Sequence, residues 1–333
     1  MEELLLGLDY EILQKGKTEI EFKGMEYDSR KIKDGDIFVA LEGSISDGHK
    51  YIKQAIENGA KGVLVSKKVE PEFPVEYILV KDLRKNLGKI ASNFYGYPQK
   101  KLKIIGITGT NGKTTSTYLL ESILGKEKVA RIGTVEYKIG DEVIEAPNTT
   151  PESLDIVKMC KKAVEKGLEY LVMEVSSHAL SLGRVDMLEF DVASFTNLTL
   201  DHLDYHENMD NYFQAKRKLF TMLKDSKKSS INIDDIYGDR LYKEFGGYSY
   251  SLTKSADLTG EIVEFHSDGQ FVRLNLMGEM FEEKLAILGR YNLYNVLGVI
   301  GIALQLGIGK NIILEKLKDI KGAPGRFELV NCG

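Results

Sequence analysis

The 333-residue chain holds only two cysteines, Cys160 and Cys332, too few for a disulfide framework or a four-thiolate zinc site. No apolar run is long enough to span a bilayer. The first residues, Met-Glu-Glu-Leu-Leu-Leu-Gly-Leu-Asp-Tyr, have neither the basic n-region nor the long apolar core of a secretory signal. The cytoplasm is therefore the expected compartment, with no membrane partner. An excess of positive charge is missing too. Lys and Arg number 45 against 50 Asp and Glu, and the net charge of -5 supplies no global reason to bind nucleic acid. A local basic pocket for phosphates stays open. Internal repeats and low-complexity tracts are also missing. What remains is 43% apolar and 29% charged, the balance of a soluble globular protein. The length is too great for one ordinary core, so two domains are expected. A monomer is the expected state, though nothing in the length decides it.

The chain is organised around Ile104-Ile105-Gly106-Ile107-Thr108-Gly109-Thr110-Asn111-Gly112-Lys113-Thr114-Thr115. A β-rich apolar run enters, and an amphipathic helical pattern through Leu124 leaves. Strand, glycine turn and helix together aim several backbone N–H groups at one anion, and the helix dipole adds to that field. Lys113 offers a mobile charge for β/γ-phosphates, and the Thr114 hydroxyl can ligate Mg²⁺. A strict Walker A pattern would need glycine where Ile107 stands. The plain alternative is a glycine-rich turn with a solvated lysine, and the flanking strand and helix favour a nucleotide-phosphate site.

Residues 25 to 95 read as a small α/β unit. Strands are expected at Asp36–Leu41, Gly62–Ser66 and Tyr77–Val80, with a helix over Lys50–Asn58 stopped by Gly59. Asp82 is placed to cap a helix reaching Phe94. Turn residues and charge at Tyr95–Lys101 mark a boundary, giving domains 1–97 and 98–328. From residue 104 to about 235, strands alternate with helices, as in a doubly wound, mainly parallel sheet. Its further strands are Val129–Val135, Tyr170–Ser176 and Asp191–Thr196. Thr150 and Pro151 suit the start of a helix over Glu152–Gly167. After about 245 shorter strands are expected, with a hairpin at Asp268-Gly269 and a last helix over Tyr294–Leu306.

Glu174 ends a buried strand, where a carboxylate can hold the Mg²⁺ of bound ATP; a solvated strand-end glutamate is the bland alternative. Asp201-His202-Leu203-Asp204-Tyr205-His206 packs two histidines and two aspartates into six residues, but lacks the ligands of a closed zinc site. Lys216 lies on a helix among basic neighbours, ordinarily a solvated face. Asp28-Ser29 is by itself a turn, and Asn148-Thr149-Thr150-Pro151 a helix cap.

Five separated motifs in this order resemble the Mur ligases, ATP-dependent enzymes that add amino acids to a UDP-linked cell-wall precursor. These are the loop Thr108–Thr115, Glu174-Val175-Ser176-Ser177-His178, the Asp201–His206 cluster with Lys216, Asn292-Leu293-Tyr294-Asn295, and Gly325-Arg326-Phe327-Glu328. The resemblance implies a small N-terminal UDP-binding domain, in which Ser29 contacts the uracil, and a central ATP-binding domain. It assigns phosphate binding to Gly109, Thr110, Asn111, Gly112, Lys113, Thr114, Thr115 and Arg326, and adenine contact to Asn295. One Mg²⁺ would sit on Thr114 and Glu174, and a second on His202 and a CO₂-derived carbamate of Lys216, with Lys113, His202 and Lys216 in catalytic roles. Burial and nearby positive charge would keep the Lys216 amine neutral enough to react. Asn148, Thr149, Thr150, Ser176 and Arg184 match the muramoyl-dipeptide contacts of the subgroup that adds the third residue, a diamino acid. Leu182 stands where some members carry a glutamine. The implied reaction runs through an acyl phosphate of the D-glutamyl carboxylate, which the incoming amine then attacks. Rivals are MurF, the ligase of the next step, folylpolyglutamate synthetase, and a nucleotide-binding fragment without turnover. Family members continue into a third, amino-acid-binding domain that this sequence lacks, so the chain alone is expected to bind without ligating.

Overall fold

The computed structural model describes residues 3–16, 21–43 and 46–318. Two compact units divide them. The first gathers the chain up to Pro98 with residues 152–158 and 182–187, and the second holds the rest.

In the first unit the strands are β1 (Tyr10–Gln14), β2 (Gly24–Glu26), β3 (Asp36–Ala40), β4 (Gly62–Val65) and β5 (Glu76–Val80). Among the described residues they form one sheet of order β1-β5-β4-β3-β2, parallel except for β1. Every residue of β3 and β4 is buried, as the near-continuous apolar runs of an internal parallel strand require. Helix α1 (Ile52–Glu57) follows a 3₁₀ turn at Gly48–Tyr51, so it is shorter than the periodicity suggested. Gly59 stops it with φ +114. Helix α2 (Leu83–Tyr95) corrects one expectation. Asp82 precedes it at φ +49 and makes no side-chain cap bond, because capping needs an extended backbone at that position.

The second unit has strands β6 (Lys103–Thr108), β7 (Val129–Ile132), β8 (Glu136–Ile139), β9 (Glu142–Glu145), β10 (Tyr170–Glu174) and β11 (Val192–Phe195). They continue with β12 (Ser229–Asn232), β13 (Tyr248–Ser251), β14 (Leu258–His266), β15 (Gly269–Leu276) and β16 (Glu279–Leu285). Its helices are α3 (Lys113–Leu124), α4 (Ser153–Glu165, with residues 153–158 in the first unit), α5 (Ser177–Ser181), α6 (Leu203–His206), α7 (Met209–Thr221), α8 (Ile236–Phe245), α9 (Arg290–Gln305) and α10 (Lys310–Lys318). Among the described residues these strands make one sheet of eleven, ordered β16-β15-β14-β13-β12-β11-β6-β10-β7-β8-β9. From β14 to β7 all pairings are parallel, and an antiparallel extension closes each end. From β6 the chain passes out to β7 on one side, returns through β10, which inserts between them, and then crosses to the other side through β11 and β12. That reversal makes β6 the switch point, where an open α/β sheet leaves a crevice at its carboxyl edge. Helix α9 is apolar on nearly all sides and lies against α3, β12 and β13, which buries Leu293, Val296, Leu297 and Ile300.

The late part of the chain departs from the expected short strands. β14 and β15 run nine and eight residues, because cross-strand pairing continues along their length as far as the turn at Asp268-Gly269. Helix α9 begins at Arg290, after Gly289 at φ +95, and α10 follows it. The Thr150 hydroxyl donates to the Glu174 carbonyl at 2.8 Å and accepts from the Ser176 N–H at 3.1 Å, so it ties down a strand end rather than capping α4. No helix among the described residues is long and apolar enough to cross a membrane.

Candidate active site

The loop between β6 and α3 sits at the switch point. Two of its glycines are required sterically. A Cβ on Gly109, at φ +148, would fall 1.9 Å from Thr196 Oγ1, and one on Gly112, at φ +92, would fall 2.3 Å from Asn295 Oδ1. The β11 end grips the loop from the side. The Asn197 carbonyl accepts from the Thr110 N–H at 2.8 Å, and Asn197 Oδ1 accepts from the Asn111 N–H at 3.0 Å. Thr196 Oγ1 and Asn197 Nδ2 both donate to the Asn111 carbonyl, at 2.6 and 3.0 Å. This two-residue clamp was not read from the sequence as such. The Thr-Asn pair directly after a strand was its only signal.

Lys113 folds back over the loop, and its Nζ donates to the carbonyls of Gly109 and Thr110, both at 2.9 Å. Thr114 Oγ1 donates to Glu174 Oε2 at 3.1 Å across the β6–β10 edge. Glu174 is 1% exposed and also accepts from the Thr134 N–H at 2.9 Å and the Thr134 hydroxyl at 3.0 Å. Thr134 was missed by the sequence reading, since nothing marks a threonine just beyond a strand as second partner to a distant carboxylate. A hydroxyl and a carboxylate oxygen in contact, beside backbone N–H groups, form the hard oxygen donor set that suits Mg²⁺.

Lys216 on α7 is only 1% exposed, and its Nζ donates to the Gly109 carbonyl at 2.8 Å, so two lysines converge on one oxygen. The ammonium also lies 4.6 Å from the centre of the Tyr212 ring. Burial, and then the charge of Lys113, hold the Lys216 pKa well below the usual lysine range, while Asp201 acts the other way. The solvated-face alternative for this residue is thus overturned, because its position on α7 points it inward beneath the loop.

His202 follows β11 in a left-handed backbone, φ +51, a sparsely populated conformation for a non-glycine residue. Its ring lies 5.0 Å from that of His178 and 6.2 Å from that of Tyr212. His206 is buried, shares a 2.8 Å hydrogen bond with Ser177 Oγ and stacks on Tyr212 at 4.8 Å. Burial first, and then His178 and Lys216, pull its pKa down to about 4, so it is neutral near pH 7. Beside the loop, Asn111, Gly112, Thr115, Asn232, Tyr291 and Asn295 line a cavity of about 540 Å³. Asn295 is nearly buried there, and Tyr291 is 78% exposed at the same cavity.

The remaining expected residues are distributed as follows. In the second unit, Asn148 takes a hydrogen bond from the Tyr137 hydroxyl on its carbonyl, and the Thr149 hydroxyl meets that of Thr134 at 3.1 Å. Ser176 Oγ accepts from the Ala179 N–H at 3.2 Å. In the first unit, Asp28 caps a 3₁₀ turn through a 3.1 Å bond from the Arg30 N–H. Buried Ser29 donates to Gln54 Oε1 at 2.7 Å and lines a cavity of about 460 Å³. Arg184 there pairs with Glu152 at 3.0 Å. Glu42, Asp47 and His49 bring potential ligand atoms within 4.8 Å of one another, but the Lys67 ammonium already bridges Glu42 at 3.0 Å and Asp47 at 2.6 Å. Arg326 and the rest of Gly325–Glu328 lie outside the described residues.

A glycine loop between a strand and a helix, at the switch point of a doubly wound sheet, defines a nucleotide-phosphate-binding α/β protein. Residues 107–303 match the Mur ligase middle domain, and residues 21–95 match the family described as "Mur ligase family, catalytic domain". The chain is 54% identical over 327 residues to the UDP-N-acetylmuramoyl-L-alanyl-D-glutamate–2,6-diaminopimelate ligase of Fusobacterium nucleatum, covering 98% of this chain and 67% of that protein. It is 46% identical over 340 residues to the ligase of the same name from Clostridium tetani, covering 100% and 69%. A solved structure of a ligase of that name superposes with a TM-score of 0.77 at 29% identity, covering 92% of this chain and 64% of that one. The chain therefore belongs to the Mur ligase family. It spans about two thirds of the length of the relatives it matches.

Proposed function

We propose that this chain carries the UDP-substrate and ATP sites of a ligase that joins 2,6-diaminopimelate to UDP-N-acetylmuramoyl-L-alanyl-D-glutamate in cell-wall synthesis. We assign residues 1–97 to the UDP-substrate domain and 98–328 to the ATP domain, acting as a cytoplasmic monomer. One observation carries the reading: Lys113 and buried Lys216 converge on the Gly109 carbonyl at the same loop where Thr114 meets Glu174. A plain nucleotide-binding turn has no use for a second, buried lysine. An enzyme that needs a neutral amine there does.

In this reading the loop N–H groups and Lys113 hold the β- and γ-phosphates, and Asn295 faces the base. The substrate carboxylate attacks the γ-phosphorus, the bond to ADP breaks, and an acyl phosphate forms. The amine of diaminopimelate then attacks the acyl carbon, loses a proton and expels phosphate. Lys113 and the loop dipoles balance the charge that develops on the transferring group. Thr114 and Glu174 would hold Mg²⁺, which supplies charge neutralisation between the phosphates. Lys216, kept neutral by burial, is proposed to take up CO₂ as a carbamate whose oxygens, with His202, suit a second cation. Ser29 is assigned to the uracil, and Asn148, Thr149, Thr150, Ser176 and Arg184 to the muramoyl-dipeptide.

Titration calorimetry with UDP-N-acetylmuramoyl-L-alanyl-D-glutamate, the corresponding tripeptide and a folate tests the reading. Selective binding of the dipeptide is expected. Preference for the tripeptide moves the assignment to the following ligase, and a folate response overturns the cell-wall reading.

A further inference from the structure

A cluster of four charged side chains packs against α3 in the second unit. Arg131, on β7, is 1% exposed. Its Nε donates to Glu121 Oε2 on α3 at 2.8 Å, and its Nη2 donates to Glu136 Oε1 at the start of β8 at 2.7 Å. Lys138 Nζ donates to the other Glu121 oxygen at 2.7 Å, so two cations face two carboxylates. The Tyr118 ring of α3 lies against the guanidinium, with Arg131 Cζ 3.6 Å from the ring centre. Arg131 Nη1 is buried and has no hydrogen-bond partner among the described residues.

Such a cluster is a costly way to hold a strand against a helix. Ionic groups are desolvated, one guanidinium nitrogen goes unpaired, and apolar side chains of similar volume would serve packing as well. Its placement gives it a use. Arg131 and Glu136 flank Gly133, Thr134 and Val135, the turn that brings Thr134 against Glu174. The approach is close: a Cβ on Gly133 would fall 2.4 Å from Glu174 Oε1. Glu121 lies on the helix whose first turn carries Thr114, the other hydroxyl on Glu174. Arg131 therefore fastens both elements that present a hydroxyl to the same carboxylate. We propose that Arg131 is a positioning residue for the Mg²⁺ site: through Glu136 and Glu121 it holds the Thr134 turn and α3 in place, so that Glu174 keeps the orientation Mg²⁺ needs beside Thr114. This rests on the ATP and Mg²⁺ site proposed above.

The test is the ATP affinity of the whole chain with and without Mg²⁺, measured by fluorescent-nucleotide displacement. Arg131→Met keeps an unbranched stem and removes the fork. It is expected to cut the gain in affinity on adding Mg²⁺ about fivefold, less than the roughly ten- to hundredfold that follows loss of a direct partner of a metal ligand, while metal-free affinity stays unchanged. Beside Thr134→Val the further loss should shrink to less than about twofold, because the hydroxyl that Arg131 places is already gone. Where Arg131→Met does not fold, Glu136→Ala, at a side chain 27% exposed, breaks the link to the turn alone and is expected to give the same metal-dependent loss. A lower melting temperature with equal affinity changes in both metal conditions is what a merely structural role gives, and it overturns the proposal. So does a loss of the same size in both Thr134 backgrounds. An unsubstituted chain that binds ATP no better with Mg²⁺ sinks the metal reading itself, which is a separate outcome.

Discussion

Replacing Lys216 with methionine separates what this residue costs the fold from what it does. The side chain is 1% exposed, has no carboxylate at hydrogen-bond distance among the described residues, and donates to the Gly109 carbonyl at 2.8 Å. Methionine is similar in length and carries no charge. The Gly109 carbonyl keeps its 2.9 Å bond from Lys113, so Lys216→Met strands no buried acceptor. Keeping a buried amine deprotonated below the unfolded lysine range costs the folded state about 1.4 kcal/mol per pH unit, a cost that methionine does not carry. The lost hydrogen bond and the lost contact with the Tyr212 ring subtract about 1 kcal/mol between them. A net gain of roughly 1–3 kcal/mol near pH 7 is expected, together with loss of any ligation that needs the amine.

The pH dependence gives a second reading of the same substitution. The folded pKa of Lys216 lies below its unfolded value, so between the two the unfolded chain binds more protons. Wild-type stability therefore rises with pH through that window, up to about pH 10.4, whereas the methionine variant has no such term. The advantage of the variant should shrink steadily as pH rises from 7 to 10. Urea unfolding of both proteins at several pH values, followed by tyrosine fluorescence, measures it. A variant less stable than wild type at pH 7, or a difference that does not change with pH, would refute the argument that the lysine is held uncharged at a cost.

Three further outcomes follow from the same geometry. Gly109→Ala puts a methyl group 1.9 Å from Thr196 Oγ1 at φ +148 and should weaken ATP by roughly ten- to a hundredfold, measured by fluorescent-nucleotide displacement. Thr114→Val leaves Glu174 to Thr134 alone, and the gain in ATP affinity on adding Mg²⁺ should fall about tenfold while metal-free affinity stays put; equal losses with and without metal would count against the assignment. His206, with its pKa lowered to about 4, contributes stability that is complete above about pH 6.5 and lost as pH falls through 4, on the order of 1–3 kcal/mol. His206→Gln should flatten acid unfolding in that window, as read by circular dichroism.

Much of this was legible because the relevant signals are local. A strand, a glycine turn and a helix within twelve residues announce an anion site, and apolar runs such as β3 and β10 announce buried parallel strands. Lys216 was different. Nothing in its basic neighbourhood separates it from a solvated lysine, and only the family resemblance singled it out before the structure buried it. Asp82 and Thr150 show the opposite failure: each residue type suits a cap, but backbone conformation in one case and a distant strand end in the other decided where the side chain went. Thr134 and Asn197 act on partners dozens of residues away, a pairing that no window of sequence contains.

The site concentrates several conformational and electrostatic costs in one place. Gly109 and Gly112 have positive φ, His202 has a left-handed backbone, and Lys216 is buried with its pKa held well below the usual lysine range. Each is the kind of feature a fold optimised for stability alone would replace. They persist because the surroundings over-determine them. Thr196 and Asn197 fix the loop by four hydrogen bonds to Thr110 and Asn111, and Glu174 is fixed by three from Thr114 and Thr134. Beneath them lie the fully buried side chains of β6, β10 and α9. The apolar core therefore does not merely accompany the chemistry. It offsets the cost of a preorganised site around Gly109, where Lys113 and the loop N–H groups face the developing negative charge of a γ-phosphate that water alone could serve only by reorganising.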